Sequence, residues 1–151
     1  METGEIISVD RLSLEWRAMI ATATEARRHA YAPYSKFPVG AAVRSSTGRI
    51  FAGCNVENAS LGLTVCAERV AIWNAVLQGE KQLVALAVVT DSGATPCGAC
   101  RQVMSEFAVD MPVLVADTSG HAWLTSLRDL LPHAFPRTDL NGSHGPPTSQ
   151  P

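Results

Sequence analysis

Cys66, Cys97 and Cys100 constrain this chain more tightly than any other residues. Cys66 opens the run Cys66-Ala67-Glu68, and about thirty residues later comes Pro96-Cys97-Gly98-Ala99-Cys100. Three thiols in this spacing can hold one zinc ion. Zinc in proteins is usually tetrahedral, so three protein ligands leave one position open, the catalytic pattern, whereas four close a structural site. Glu68, two residues beyond the first thiol, is then placed to handle the protons of a bound water. Taken alone, a glutamate in a first helical turn is solvated or aids the cap. CxxC alone also serves redox chemistry, but here it is joined by a third cysteine and follows no thioredoxin-like strand order.

Both thiol segments fall where helices are expected to begin. Three thiolates around a divalent ion leave a net negative site, in which a bound water would be only weakly acidic. Two helix N-termini, each with roughly half a positive charge, offset this. Arg69 is expected to donate to a thiolate and draw charge from the metal, with Arg101 as a second candidate. Cys54, the remaining cysteine, reads as a small buried residue of a strand rather than a fourth ligand.

The chain has 151 residues, 46% hydrophobic and 17% charged, enough for one compact domain with a substantial core. A formal net charge of −2 gives no basic excess, which argues against a large nucleic-acid surface. The start, Met1-Glu2-Thr3-Gly4-Glu5, lacks the apolar stretch of a signal peptide. The apolar run Leu83 to Val89 is too short to span a bilayer. A soluble, cytoplasmic protein is expected.

Helical spacing over residues 10–30 includes Leu14, Met19 and Ala26, with Arg27 and Arg28 suiting the end of the helix dipole. Val39 to Arg44 and Arg49 to Asn55 read as a hairpin turning at Ser45 to Gly48. A polar loop from Asn55 to Val65 leads into a helix from about Cys66 to Gln78, stopped by Gly79. Leu83 to Thr90 is apolar throughout and is expected to be a central strand covered on both faces. A second helix is expected from about Cys97 to Phe107. Strands Met111 to Ala116 and His121 to Leu124 follow, and then a helical turn at Leu127 to Leu131. The order α-β-β-α-β-α-β-β predicts a three-layer α/β/α fold around a mixed five-stranded sheet. Residues 1–138 are read as one domain, and 139–151, rich in Gly, Pro and Ser, as a disordered tail.

At this point the residues resemble a known family. Cys-Ala-Glu with Pro-Cys-Gly-Ala-Cys is similar to the three-cysteine signature of zinc nucleobase and nucleoside deaminases. The likeness extends to Tyr31-Ala-Pro-Tyr-Ser-Lys-Phe-Pro-Val-Gly40, Gly53-Cys-Asn-Val-Glu-Asn-Ala-Ser60, Cys66-Ala-Glu-Arg69, Pro96-Cys-Gly-Ala-Cys-Arg-Gln-Val103 and Leu130-Leu-Pro-His-Ala-Phe135. In this order they resemble the small homotetrameric cytidine deaminases. The resemblance implies the fold of that family and a reaction that turns cytidine and 2′-deoxycytidine into uridine and 2′-deoxyuridine. It implies one Zn2+ per subunit on Cys66, Cys97 and Cys100, with Glu68 shuttling protons and Arg69 supporting the ligands. Asn55 and Glu57 would bond the ribose 3′-hydroxyl, and the Ala67 backbone N–H would meet the base carbonyl. Phe37 would pack on the nucleoside, and Phe135 would stack on the base of a neighbouring subunit. The partner is then a small nucleoside, with no nucleic acid or membrane, in a homotetramer that shares its active sites.

Asn55 and Glu57 alternate and so share one face, as a hydroxyl clamp needs, although two exposed polar residues would look the same. On composition alone Phe37 and Phe135 are core residues. After Asn58-Ala59-Ser60 the family commonly has an aromatic residue, and this chain has Leu61. That keeps open a deaminase for another nucleoside, such as a nucleoside antibiotic. A more distant alternative is a zinc module that only braces the fold, with Cys54 or His29 as fourth ligand.

Overall fold

The computed structural model describes residues 4–135, so the expectation for residues 139–151 lies outside them. The elements run β1 (Ile6–Ser8), α1 (Leu14–Arg27), β2 (Gly40–Ser45), β3 (Ile50–Cys54), α2 (Ala67–Leu77), β4 (Leu83–Thr90), α3 (Gly98–Phe107), β5 (Pro112–Asp117), β6 (His121–Ser126) and α4 (Leu127–Leu130), with short 3-10 turns at Val9–Arg11 and Leu61–Leu63. One mixed sheet has the order β1-β6-β5-β4-β2-β3. Among the described residues it has six strands rather than the expected five. The addition is β1, which pairs antiparallel to β6 with Ile6 opposite Trp123. Among the described strands only β4 and β5 pair in parallel, across the connection that contains α3.

Period-two alternation sends side chains to two separate cores. Leu86 and Val88 of β4, Ala41 and Val43 of β2, and Val113 and Val115 of β5 meet Ala71, Ile72 and Ala75 of α2 and Met104 of α3. Their chain neighbours Ala85, Ala87, Val89, Ala42, Leu114 and Ala116 meet Met19, Ile20 and Ala23 of α1 on the opposite face. Leu83–Thr90 is thus covered on both sides, as its composition predicts. Helix α1 starts at Ser13, whose hydroxyl accepts from the Trp16 N–H at 3.5 Å. At its other end Arg27 donates to the Pro38 carbonyl at 3.0 Å and pairs with Asp91. These contacts tie the helix to the entry of β2 and to the loop after β4.

Gly53 sets the seat of α2. A Cβ at this position would overlap the Ala67 carbonyl oxygen and the backbone of Ala71, so only glycine lets the first turn of α2 lie directly on β3. That close approach fixes the height of Cys66 and Glu68 above the sheet. Among the described residues no helix is long and apolar enough to cross a membrane.

Candidate active site

Cys66 and Cys97 occupy the N-cap positions of α2 and α3, with extended backbone and no side-chain cap. A thiol replaces the usual hydroxyl or carboxylate at each position. The first-turn N–H groups have no partner earlier in the helix, so each thiol stands at the positive end of a helix dipole. Cys100 lies one turn into α3 and is fully buried. The three sulfurs lie within 4.8 Å of one another. Cys66 Sγ is 3.8 Å from Cys97 Sγ, and Cys97 Sγ is 3.6 Å from Cys100 Sγ. Zinc–sulfur bonds of about 2.3 Å at tetrahedral angles set sulfurs roughly 3.8 Å apart, so the donor set fits zinc.

Among the described residues no fourth Cys, His, Asp or Glu joins this cluster. Cys54 ends β3, where burial pushes its thiol up, and His29 is exposed beside Glu25. Neither supplies the closing ligand that a purely structural zinc would need.

Arg69 reaches Cys66 Sγ at 3.5 Å and the Thr64 carbonyl at 3.4 Å through Nη2. Cys66 is held below the usual thiol range, first by its contact with Cys100 and then by Arg69. The same Cys66 contact and burial push Cys100 up. Arg101, the second candidate for a donor to sulfur, is used elsewhere. Its guanidinium donates to the carbonyls of Pro96 (2.7 Å) and Leu130 (2.9 Å) and to Thr95 Oγ1 (3.2 Å). A fork with three oxygen acceptors in place has little left to give a thiolate.

Glu68 is 4% exposed, and burial pushes its carboxyl up to about 7, with the Cys66 charge adding to the effect. It lines a cavity of about 420 Å³ together with Cys66, Cys97, Phe37, Asn55 and Glu57. Ser35, Thr64, Thr90 and Thr95 also line it, and sequence reasoning did not single them out as site residues. Ser35 lay within the family-like run from Tyr31 to Gly40, the only signal that pointed to any of the four.

Asn55 and Glu57 do share one face, just beyond β3. Asn55 is buried. Its Oδ1 accepts from the Val39 N–H at 2.8 Å, and its Nδ2 donates to the Phe37 carbonyl at 2.9 Å, which leaves one N–H unused. Glu57 Oε2 accepts from the N–H groups of Tyr34 (2.9 Å) and Ser35 (3.2 Å). Its carboxyl sits below the ordinary range, chiefly through the Ser35 side chain. Both residues thus shape the irregular stretch from Tyr34 to Val39. Within it Lys36 stands at φ +57, a left-handed conformation that costs about 1 kcal/mol for a residue with a Cβ. Phe37 follows directly, at the cavity edge and 37% exposed.

Ala67, the first residue of α2, is fully buried beside Cys66. Phe135 is 58% exposed and does not line this cavity. Leu61 is exposed in the 3-10 turn before Cys66.

A three-sulfur cage with a buried carboxylate beside it, set in a mixed sheet between helices, defines a metal-dependent hydrolase rather than a structural zinc module. Residues 15–116 match the family model described as the cytidine and deoxycytidylate deaminase zinc-binding region, and the chain belongs to that family. It is 48% identical over 126 residues to a cytidine deaminase of Sporosarcina psychrophila, covering 82% of this chain and 93% of that protein. It is 42% identical over 134 residues to a cytidine deaminase of Mycobacterium tuberculosis, covering 84% of this chain and 94% of that one. The crystal structure of cytidine deaminase from Burkholderia pseudomallei superposes with a TM-score of 0.77 at 46% identity, covering 82% of this chain and 100% of that one.

Proposed function

We propose that this protein is a zinc-dependent hydrolase that deaminates cytidine and 2′-deoxycytidine to uridine and 2′-deoxyuridine with release of ammonia, a step of pyrimidine salvage. One observation carries the reading: the three thiols gather at one point, and Glu68 shares a cavity of about 420 Å³ with two of them. Such a volume suits a small ligand. Zinc, one per subunit on Cys66, Cys97 and Cys100, supplies when bound a Lewis acid that makes water nucleophilic near neutral pH.

Glu68 takes a proton from the attacking water and delivers it to ring N3 as oxygen bonds to C4. The second water proton passes through the same carboxylate to the amino group. The C4–N bond then breaks, ammonia leaves and the C4 carbonyl remains. Asn55 offers its unused N–H and Glu57 its Oε1 to the ribose 3′-hydroxyl. The Ala67 N–H, unpaired at the start of α2, donates to the base carbonyl. Phe37 packs on the nucleoside, and Arg69 steadies Cys66.

Phe135 stacks on the base in a neighbouring subunit of a homotetramer, so assembly completes each site. We take residues 1–138 as a single domain and the setting as cytoplasmic. The substrate is a free nucleoside, with neither nucleic acid nor membrane needed.

The test is the ultraviolet absorbance of cytidine, deoxycytidine, cytosine and adenosine, each mixed with the zinc-loaded protein. Rapid spectral change is expected with the first two only. Inertness toward both would overturn the reading. Turnover of a base-modified nucleoside in their place would favour the alternative that Leu61 raises.

A further inference from the structure

The two residues that follow Cys100 both bond to the segment from Leu130 to Phe135. Arg101 donates to the Leu130 carbonyl at 2.9 Å. Gln102 holds Phe135 from both sides: the Phe135 N–H donates to Oε1 at 3.1 Å, and Nε2 donates to the Phe135 carbonyl at 3.0 Å. Nε2 also donates to Ser105 Oγ at 3.3 Å, while that hydroxyl donates to the Gln102 carbonyl at 2.7 Å. A flipped amide would lose both contacts to Phe135, setting oxygen against its carbonyl and N–H against its N–H, so this pair fixes the orientation. An amide paired with both the N–H and the C=O of one residue acts as a neighbouring strand would. Backbone is held while the ring is left out, 58% exposed.

We propose that Gln102 is a positioning residue, which fixes the Phe135 backbone so that the ring points away from its own subunit toward the nucleoside base bound in a neighbour. The proposal rests on the role given to Phe135 above. It makes α3 serve two sites: its first turn holds metal ligands for its own subunit, and its next residues aim an aromatic ring at another.

The experiment uses the full-length, zinc-loaded enzyme and the variants Gln102→Ala, Gln102→Glu, Phe135→Ala and the Gln102→Ala/Phe135→Ala double variant. Zinc content, thermal midpoint, kcat and KM for cytidine are measured for each. Gln102→Ala is expected to keep its zinc and to raise KM about tenfold, the loss of two hydrogen bonds, with little change in kcat. Gln102→Glu can accept from the Phe135 N–H but cannot donate to its carbonyl, so it should fall between. The double variant should be no worse than Phe135→Ala. The proposal alone is overturned if Phe135→Ala raises KM while Gln102→Ala does not, if the two losses add in full, or if Gln102→Ala acts by shedding zinc. A silent Phe135→Ala overturns the role of the ring itself, and the proposal with it.

Discussion

The thiol floor of the cavity is placed by backbone, whereas its polar wall is placed by side chains. Cys66 and Cys97 sit where they do because α2 and α3 begin there, and α2 is seated by Gly53. Glu68 inherits its position from the same first turn. The wall is different. Asn55 and Glu57 hold the stretch from Tyr34 to Val39 through their own amide and carboxylate, and the atoms proposed for the ribose are what those bonds leave over. Floor residues can therefore be altered chemically with little structural cost, while wall residues carry structure and binding together.

The largest effect is expected on the floor. Glu68→Gln keeps size and shape and should retain zinc and a normal thermal midpoint, yet lose about 10²- to 10⁴-fold in kcat, the usual worth of general acid–base catalysis. Metal analysis beside steady-state kinetics checks this, and loss of zinc in the variant would break the separation of floor from fold. Next is Arg69→Ala. It removes the donor beside Cys66 Sγ and should weaken zinc affinity about 10- to 100-fold in chelator competition, with secondary structure unchanged by circular dichroism.

On the wall, Asn55→Ala strands the Val39 N–H and the Phe37 carbonyl. It should cost about 1–3 kcal/mol of stability in urea and raise KM at once. A raised KM with full stability would erase the contrast between wall and floor. The smallest effect is expected for Glu57→Gln, which keeps an oxygen for Tyr34 and Ser35 but drops the charge. KM should rise a few-fold. Glu57 has a lowered pKa when folded, so its stabilising charge is fully present above the unfolded value of about 4.3. That contribution fades as pH falls through the folded value. The midpoint gap between wild type and variant should therefore close on acidification in that window, and a widening gap would reverse the sign.

The residues whose chemistry repeats a pattern were readable from sequence. Leu83–Thr90 announced a doubly covered strand because every position is apolar or small, and the thiols announced themselves by spacing. Strand β1 did not. It is three residues long, Ile6 is 70% exposed, and pairing with β6 rather than any burial pattern makes it a strand. Arg101 was misread because adjacency to a ligand suggests contact with it. One residue along a helix turns the side chain by about 100 degrees, which here points it at the carbonyls of Pro96 and Leu130. Gln102 was invisible for a related reason: its partner, Phe135, is more than thirty residues away in sequence.

X-ray absorption at the zinc edge of the purified protein reaches the question at its root. With Cys66, Cys97 and Cys100 as the ligands, one zinc per chain should show three sulfurs at about 2.3 Å and one light atom at about 2.0 Å. A shell of four sulfurs, or protein that binds no zinc at all, would contradict an open metal site facing Glu68.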